Sequence, residues 1–572
     1  MKRGAETKGE ISRRFIVRSF WVFGFFIFFS LALILRAAYL QVLNKDFLIN
    51  QGNLRQVREV EISAYRGMIT DRNDKPLAIS IPVDSLSIRP KSFNANSDQI
   101  NDLADLIKKD PEQLSNSIKV SIAKNFHYIQ RQVDINTSEK VKALEIPNLN
   151  FHREYRRSYP AGEIVSQLLG YTDTDEEGIE GIELQYDGWL KGIPGRKKVL
   201  KDKYNRHIEN IGVIKSPKPG KDVRLSIDLR LQYIAYKALK SAILEYKANS
   251  GSVIVLDALT SEVLAIVNHP TFNNNERVYI DPGLVRNRAI LDMYEPGSSI
   301  KPFVIARAIE TGVYNVSSVI DTSPVTIGRK TIRDKNELGF IDLPTVLKRS
   351  SNAGMSRIAL NLESDKLWEM MSDFGFGSLV TDGFPGESRG QLHHHTEWGD
   401  IGKATMSYGY GIGVTPVQLA KAYAILANDG MHIPITLLKN RSHEGTRVIS
   451  SDTAYDIRMM LEKVVADGTS RKAAVKGYRV GGKSGTAWKT SGSGGYSTDR
   501  YLAIFAGIAP LDNPRLVVVV LIDEPSGKYY YGGDVAAPVF SEVISESLQL
   551  LSIPPNQDSL SDDLFMAEMN VE

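Results

Sequence analysis

The sequence contains no cysteine, and this absence excludes several kinds of chemistry. Disulfide frameworks, cysteine nucleophiles and thiolate metal sites cannot form, although a chain without cysteine fits either a cytoplasmic or a periplasmic location. The chain also has little net charge, because 70 basic and 67 acidic side chains leave a formal charge of +3. Without a broad basic field, no nucleic-acid partner is expected. Function must therefore come from local sites.

One long apolar run lies near the amino terminus. Residues 19–35 carry no charge, and with the apolar residues that follow Arg36 they approach the roughly 20 residues that span a bilayer. Residues 1–18 hold six basic and two acidic side chains. The positive-inside rule therefore predicts a cytoplasmic tail at 1–18, a single transmembrane anchor at 19–42 and a remainder outside the cytoplasm. A cleaved signal peptide is the alternative, but no small-residue cleavage site follows the run.

The chain after the anchor changes character near residue 222. Short strands are predicted at 61–82, helices at 98–145, and hairpins and loops at 150–215. We interpret residues 43–222 as a non-catalytic pedestal domain that ends at the linker-like sequence KSPKPG.

The remaining residues predict a second domain at 223–550 and an acidic tail at 551–572. The second domain opens with a helix at 229–247, continues with several apolar strands and closes with a helix near 536–550. Sheet and helices should share one core, which predicts an α+β fold with a mainly antiparallel central sheet flanked by helices. The tail has five acidic residues and no basic one, which is typical of a disordered segment.

A serine and a lysine stand three residues apart at Ser298 and Lys301, at an expected helix start, so both should project to one face. This spacing alone is weak evidence, because Ser121 and Lys124 show it as well. Two further short motifs follow, Ser-Ser-Asn at 350–352 and Lys-Ser-Gly-Thr at 483–486. In their order and spacing, the three motifs resemble those of the penicillin-binding protein and serine β-lactamase superfamily.

The chemistry explains why these residue types occur together. A serine hydroxyl is a poor nucleophile at neutral pH, so Ser298 needs a base, and Lys301 is the candidate. A lysine acts as a base only when neutral, which requires burial and a nearby cation such as Lys483. Ser350 is expected to relay a proton to the leaving amine, and Asn352 to orient the substrate and the lysine.

The resemblance also implies roles for the third motif. The hydroxyls of Ser484 and Thr486, with the charge of Lys483, would hold a substrate carboxylate, and Gly485 would let the substrate backbone approach an edge strand. The backbone N–H groups of Ser298 and Thr486 would form the oxyanion hole, in which one donor is typically worth about 3 kcal/mol. A peptide that ends in D-Ala-D-Ala fits this arrangement, and an acyl-Ser298 ester would be the intermediate.

Over nearly its whole length, the chain resembles the class B penicillin-binding proteins. The segments that carry the resemblance are LRAAYLQV after the anchor, RGMITDRN at 66–73 and GYGIGVTPVQLAKAYAILANDG at 409–430. Ser-Ser-Asn, Lys-Ser-Gly-Thr and the segment 509–533 are closer to the division-specific member than to the elongation-specific one, which remains the alternative. The resemblance implies a peptidoglycan D,D-transpeptidase of the septum that β-lactams inhibit.

The pedestal resembles the part of such enzymes that contacts a partner. Glu180 and Glu183 are candidates for contact with a lipid-linked glycan polymerase of the FtsW type and other division proteins, although a solvated turn or a local salt bridge explains them equally well. The run His393–His395 is interpreted as a surface loop, because consecutive residues cannot all face one ion. The stretch 491–497, rich in Gly and Ser, is expected to be a mobile rim loop. No metal and no cofactor are expected.

Two other classes of function remain open. A β-lactam hydrolase or sensor would share the same motifs, but a hydrolase does not need a pedestal, and 18 cytoplasmic residues are too few for the output domain of a sensor. A division scaffold with vestigial catalytic residues would not need all three motifs.

Overall fold

The structure, a computed structural model, describes residues 8–201, 207–276, 281–441, 443–490 and 495–555. Residues 1–7 of the predicted cytoplasmic tail, 491–494 of the predicted rim loop and 556–572 of the predicted acidic tail lie outside these ranges. The chain is a mixture of helices and sheets, so the predicted α+β class is confirmed.

The strands and α-helices are numbered in chain order. The strands are β1 Val57–Ile62, β2 Ile69–Thr70, β3 Pro76–Ile88, β4 His127–Val133, β5 Leu149–Ser158, β6 Gly195–Lys201, β7 His207–Lys215, β8 Val223–Arg224, β9 Ser250–Asp257, β10 Val263–His269, β11 Val319–Asp321, β12 Val325–Ile327, β13 Lys330–Ile332, β14 Phe340–Asp342, β15 Met431–His432, β16 Thr446–Arg447, β17 Gly481–Thr490, β18 Tyr496–Ala509 and β19 Leu516–Asp523. The helices are α1 Lys8–Ala38, α2 Lys45–Gln56, α3 Ser97–Leu106, α4 Pro111–Val120, α5 Ile135–Lys142, α6 Ser166–Leu169, α7 Gly181–Gln185, α8 Asp187–Leu190, α9 Leu229–Glu245, α10 Pro282–Val285, α11 Arg288–Leu291, α12 Lys301–Glu310, α13 Leu343–Arg349, α14 Asn352–Asn361, α15 Ser364–Asp373, α16 Asp400–Met406, α17 Pro416–Ala427, α18 Ser451–Ala466 and α19 Gly532–Leu550.

The chain forms two compact units, and neither is continuous in sequence. The first unit comprises Met1–Ala64, Val83–Glu154 and Ile193–Lys218, and the second comprises Tyr65–Pro82, Tyr155–Gly192 and Pro219–Glu572. The sequence-based boundaries at 43–222 and 223–550 stay a prediction.

The first unit begins with the apolar helix. The segment Arg13–Leu43, which is α1 from Arg13 onward followed by a π-helical turn, is long enough to cross a bilayer and has a mean hydropathy of 2.1 over its most apolar window. None of that window is buried against the rest of the protein. This helix fits the predicted single-pass anchor.

A small core lies in the middle of the first unit. Its side chains come from β3, α3, α4 and β4, and they include Leu86, Leu103, Leu114 and Ile129. The prediction of helices throughout 98–145 is wrong at β4, which pairs antiparallel with β3. Within β4 only Ile129 and Val133 are fully buried, and they are four residues apart.

The second unit is built on a five-stranded antiparallel sheet, which confirms the predicted sheet type. Its strand order is β10-β9-β19-β18-β17. Strand β19 reads LVVVVLID and is buried on both faces, as continuous apolar strands are when helices cover the sheet on each side. Val517 and Val519 face one core, which includes residues of α12 and α17, whereas Val518 and Val520 face the other, which includes residues of α9 and α19.

A buried ion network also lies in the second unit, and it corrects one sequence-based expectation. Glu183 has no exposed surface, and its carboxylate accepts hydrogen bonds from Arg66 Nε at 2.9 Å and Arg157 Nε at 2.6 Å. Arg66 also contacts Asp187 Oδ1 at 2.6 Å. A carboxylate enclosed in this way cannot reach a protein partner, so Glu183 is structural. Glu180 is exposed and remains a candidate for partner contact.

We expect Glu183→Gln to destabilise the protein strongly. The substitution keeps the shape of the side chain but leaves two buried guanidinium groups without their shared anion, and breaking a buried pair costs about 3–5 kcal/mol. Thermal unfolding of the full chain in detergent would measure the change. Glu180→Gln, three residues earlier and exposed, is the matched control and should change stability by less than about 0.5 kcal/mol. Equal losses of stability in Glu183→Gln and Glu180→Gln would contradict a structural role for the buried ion network.

Candidate active site

Ser298 lies in a tight turn that leads into a buried helix. A single 3-10 turn, Gly297–Ile300, precedes α12, and residues three apart in such a turn lie on the same side. Ser298 and Lys301 therefore share a side, as the spacing predicts. Ser298 is partly exposed, whereas Ser299 and Ile300 are fully buried. Of this turn's two hydroxyls, only that of Ser298 is available to a substrate.

Lys301 is completely buried, and its amine contacts the second motif. Its Nζ donates to the backbone oxygen of Ser350 at 2.6 Å, to Ser350 Oγ at 3.0 Å and to Asn352 Oδ1 at 2.8 Å. Within the described residues, Ser298 Oγ has no hydrogen-bond partner. The structure thus brings the first and second motifs together through the lysine.

Burial sets the protonation of Lys301. The loss of hydration lowers its pKa well below the ordinary value, and the charge of Lys483 lowers it further, while the carboxylate of Asp334 acts in the opposite direction. Lys483 is itself buried, and burial lowers its pKa to about 7. These effects make Lys301 lose a proton more readily than a free lysine does, although an amine that donates to three acceptors carries all three of its protons.

The second motif occupies a strained junction between two helices. Ser350 ends α13 in the left-handed conformation, with φ 60° and ψ 38°, and α14 begins at Asn352. The left-handed conformation costs free energy in a residue other than glycine, and such strain is common at functional sites. Here the left-handed turn leads from one helix into the next while the oxygen and hydroxyl of Ser350 both contact the Lys301 amine.

Asp334 is a site residue that the sequence did not reveal. Its Oδ1 accepts from the backbone N–H of Asn352 at 2.6 Å and from that of Ala353 at 3.1 Å. Its other oxygen accepts from the hydroxyl of Ser351. A carboxylate satisfies free N–H groups at a helix start, so Asp334 fixes the beginning of α14 and with it Asn352. The contact spans 18 residues of sequence, and no local pattern announces it.

The third motif lies on β17, which is the edge strand of the central sheet. Lys483 pairs with Ala506 in the register of β18, and Ser484 pairs with Phe505. Because side chains alternate along a strand, Lys483 faces the core that includes α12, whereas Ser484 and Thr486 face the α19 side. Ser484 Oγ accepts from Ser470 Oγ at 3.0 Å, and Thr486 Oγ1 accepts from the N–H of Gly532 at 2.9 Å.

The first and third motifs touch through their backbones. A Cβ atom on Gly485 would lie 2.4 Å from the oxygen of Pro296, and one on Gly297, which has φ +55°, would lie 3.1 Å from the nitrogen of Thr486. Only glycine permits this approach. The turn that carries Ser298 is thus adjacent to Thr486, whose N–H is the second predicted oxyanion donor.

Glu295 links the residues just before the turn to two distant parts of the chain. Its Oε1 accepts from the N–H of Gly411 at 2.7 Å and from the hydroxyl of Tyr496 at 3.0 Å, and burial raises its pKa. It borders a cavity of about 380 Å³. Sequence reasoning missed this residue, because its partners lie 116 and 201 residues away.

The described residues hold no cluster of three or more potential metal ligands. His393 contacts Glu397 at 3.2 Å, and His394 and His395 pack against Trp368. His393 and His394 are exposed and His395 is half-buried, in keeping with a surface segment.

The comparisons with known proteins agree with this geometry. The penicillin binding protein transpeptidase domain matches residues 251–545, and the penicillin-binding protein dimerisation domain matches residues 61–225. The probable peptidoglycan D,D-transpeptidase PbpC of Pseudomonas aeruginosa is 40% identical over 97% of this chain and 99% of its own length. The peptidoglycan D,D-transpeptidase FtsI of Escherichia coli K12 is 39% identical over 93% of this chain and 91% of its own length.

A solved structure supports the same assignment. The apo transpeptidase domain of penicillin-binding protein 3 from Burkholderia pseudomallei is 40% identical to this chain, with a TM-score of 0.54, and the match covers 58% of this chain and 98% of that domain. The transpeptidase match alone covers more than half of the chain, and the dimerisation domain precedes it. The chain therefore belongs to the penicillin-binding protein transpeptidases.

Proposed function

We propose that this protein cross-links peptidoglycan as a serine D,D-transpeptidase, with Ser298 as the nucleophile. The observation that carries the proposal is the buried amine of Lys301, which lies on the same side of the turn as Ser298 and is held by Ser350 and Asn352. The names of the relatives, which describe them as peptidoglycan D,D-transpeptidases, support the same activity.

The first half-reaction forms the acyl-enzyme. Neutral Lys301 accepts the proton of Ser298 Oγ, and the oxygen attacks the carbonyl carbon of the penultimate D-alanine. The N–H groups of Ser298 and Thr486 stabilise the oxyanion. The C–N bond then breaks, the leaving D-alanine takes a proton relayed through Ser350, and an ester to Ser298 remains.

The second half-reaction uses an amino group of a neighbouring stem peptide. That amine attacks the ester carbonyl, a new peptide bond forms, and Ser298 Oγ leaves and regains a proton. A substrate carboxylate beside Lys483 would favour its charged form, because the free protein holds that charge weakly. The hydroxyls of Ser484 and Thr486 lie on the other face of β17 and contact Ser470 and Gly532, so Lys483 is the side chain of the third motif that we assign to the carboxylate.

β-Lactams should acylate the same serine, and intact-mass spectrometry with benzylpenicillin tests this directly. We expect one stable adduct per chain, absent in Ser298→Ala. Ser121→Ala is the matched control, since it removes the serine of the chain's other Ser-x-x-Lys pair, whose hydroxyl contacts His127 instead. Labelling of Ser298→Ala would refute the nucleophile. Absence of any adduct would favour a scaffold, and a transient adduct with accumulating hydrolysed drug would favour a hydrolase.

The pH dependence of acylation should move in opposite directions in two variants. The rate falls as pH falls through the pKa of Lys301, because only the neutral amine accepts a proton. Lys483→Gln removes the cation that lowers this pKa, so the acid limb should move to higher pH; Asp334→Asn removes the anion that raises it, so the limb should move to lower pH. Lys483→Arg keeps the charge and is the control. If the acid limbs of the pH–rate profiles coincide in all variants, the assignment of Lys301 as the base is contradicted.

We also propose that the enzyme acts at the division septum, with its amino terminus in the cytoplasm and the rest of the chain in the periplasm. Its partner would be a lipid-linked glycan polymerase of the division complex. Glu180 is the proposed contact, and the exposed apolar side chains of Ile179, Leu184 and Trp189 nearby in sequence support it, since exposed apolar clusters mark binding surfaces.

Glu180→Arg should reduce the formation of cross-links in the presence of the polymerase and leave acylation by penicillin unchanged. Charge reversal at a contact weakens association without touching the active site. Glu112→Arg, at an exposed position of α4, is the control for charge reversal elsewhere. An equal loss of cross-linking and of acylation by penicillin would contradict a role of Glu180 in coupling the enzyme to the polymerase.

A further inference from the structure

The strand pair β6 and β7 in the first unit carries an excess of positive charge. Strand β6 holds four basic residues and no acidic one, and β7 adds Lys215 against Glu209. Carboxylates of β1 lie opposite two of the basic residues in the register, Glu59 opposite Lys198 and Glu61 opposite Arg196. Among the described residues, no carboxylate lies within 4.0 Å of Lys197, Lys201 or Lys215. The pair is therefore a basic surface that β1 neutralises only in part.

Strand β7 also exposes apolar side chains. It is the edge of the three-stranded sheet β1-β6-β7, and Ile211, Val213 and Ile214 are 51%, 62% and 48% exposed. A long apolar edge strand is an aggregation hazard that proteins normally cover. The position of β7 and the positive charge beside it indicate which partner covers this strand.

The sheet is tied closely to the membrane anchor within the same unit. The apolar segment ends at Leu43, α2 follows at Lys45–Gln56, and β1 begins at the next residue. A helix of 12 residues is about 18 Å long, so β1 starts near the bilayer. The first turn of α2 exposes Phe47, Leu48 and Ile49, which suits a helix that lies along the lipid interface.

We propose that the β6–β7 pair docks on an anionic lipid surface. Basic side chains attract acidic headgroups over roughly one Debye length, about 8 Å at physiological ionic strength, and adjacent apolar side chains enter the interface. The register places Lys197 on the face of Val213 and Lys215 on the other face, so the lysines flank the β7 edge from both sides. Together with Lys201 they supply the attraction, and Ile211, Val213 and Ile214 along that edge supply the apolar contact. Docking fixes the orientation of the first unit above the bilayer, which the single anchor helix does not do.

Because the protein has no cysteine, a single introduced cysteine can be labelled selectively with a fluorophore. The full chain with Val213→Cys, labelled with an environment-sensitive fluorophore, is incorporated into nanodiscs of phosphatidylcholine with or without phosphatidylglycerol. We expect a shift to shorter wavelength only with phosphatidylglycerol, reversed by high salt. The control is Val120→Cys, which is 83% exposed in the same unit and lies outside the strand pair, and it should show no shift.

A charge-removing variant separates the possible causes. With Lys197→Gln, Lys201→Gln and Lys215→Gln combined, the shift at position 213 should be lost. No shift with anionic lipid in the parent protein, or an equal shift in both lipids, would overturn the proposal. A shift that requires an added division protein would assign the surface to that protein instead. If the triple variant does not fold, the salt dependence of the fluorescence shift in the Val213→Cys protein still tests the proposal.

Discussion

Burial of the Lys301 amine is the constraint on which the rest of the active site depends. Removing an amine from water is unfavourable unless its hydrogen bonds are replaced, and here three acceptors replace them. All three belong to Ser350 and Asn352, so the junction of α13 and α14 must hold an unusual shape. The left-handed conformation of Ser350 and the carboxylate of Asp334 are the two means by which the chain holds it.

The central sheet provides the rigid support for this arrangement. Strands buried on both faces lie in its middle, and β17 lies at its edge, where one side of the strand remains open to an extended peptide. The helix that carries Lys301 packs on one face of the same sheet. Ser298, Lys301 and the third motif are thereby fixed to one body.

The sequence predicts features with a local signature, and it misses those that depend on distant partners. Apolar runs identified the anchor and strands β9, β10, β18 and β19, and the spacing of three motifs predicted a site that the fold brings together. Strand β4 escapes prediction because its two buried residues, Ile129 and Val133, are four apart, a spacing that also fits one face of a helix. Asp334, Glu295 and the burial of Glu183 each depend on residues far away in the chain, where a single sequence gives no signal.

The contacts between glycine and neighbouring backbone at the Gly297–Ile300 turn limit which sequences this part of the chain can accept. A side chain at Gly409 would come within 1.9 Å of the oxygen of Gly297, and one at Gly485 would collide with Pro296. These positions admit no substitution that preserves the turn. Sequence change is tolerated more easily beside the turn, at exposed residues such as Tyr496 and Trp488. The turn is therefore a fixed part of the molecule, around which the neighbouring surface can vary.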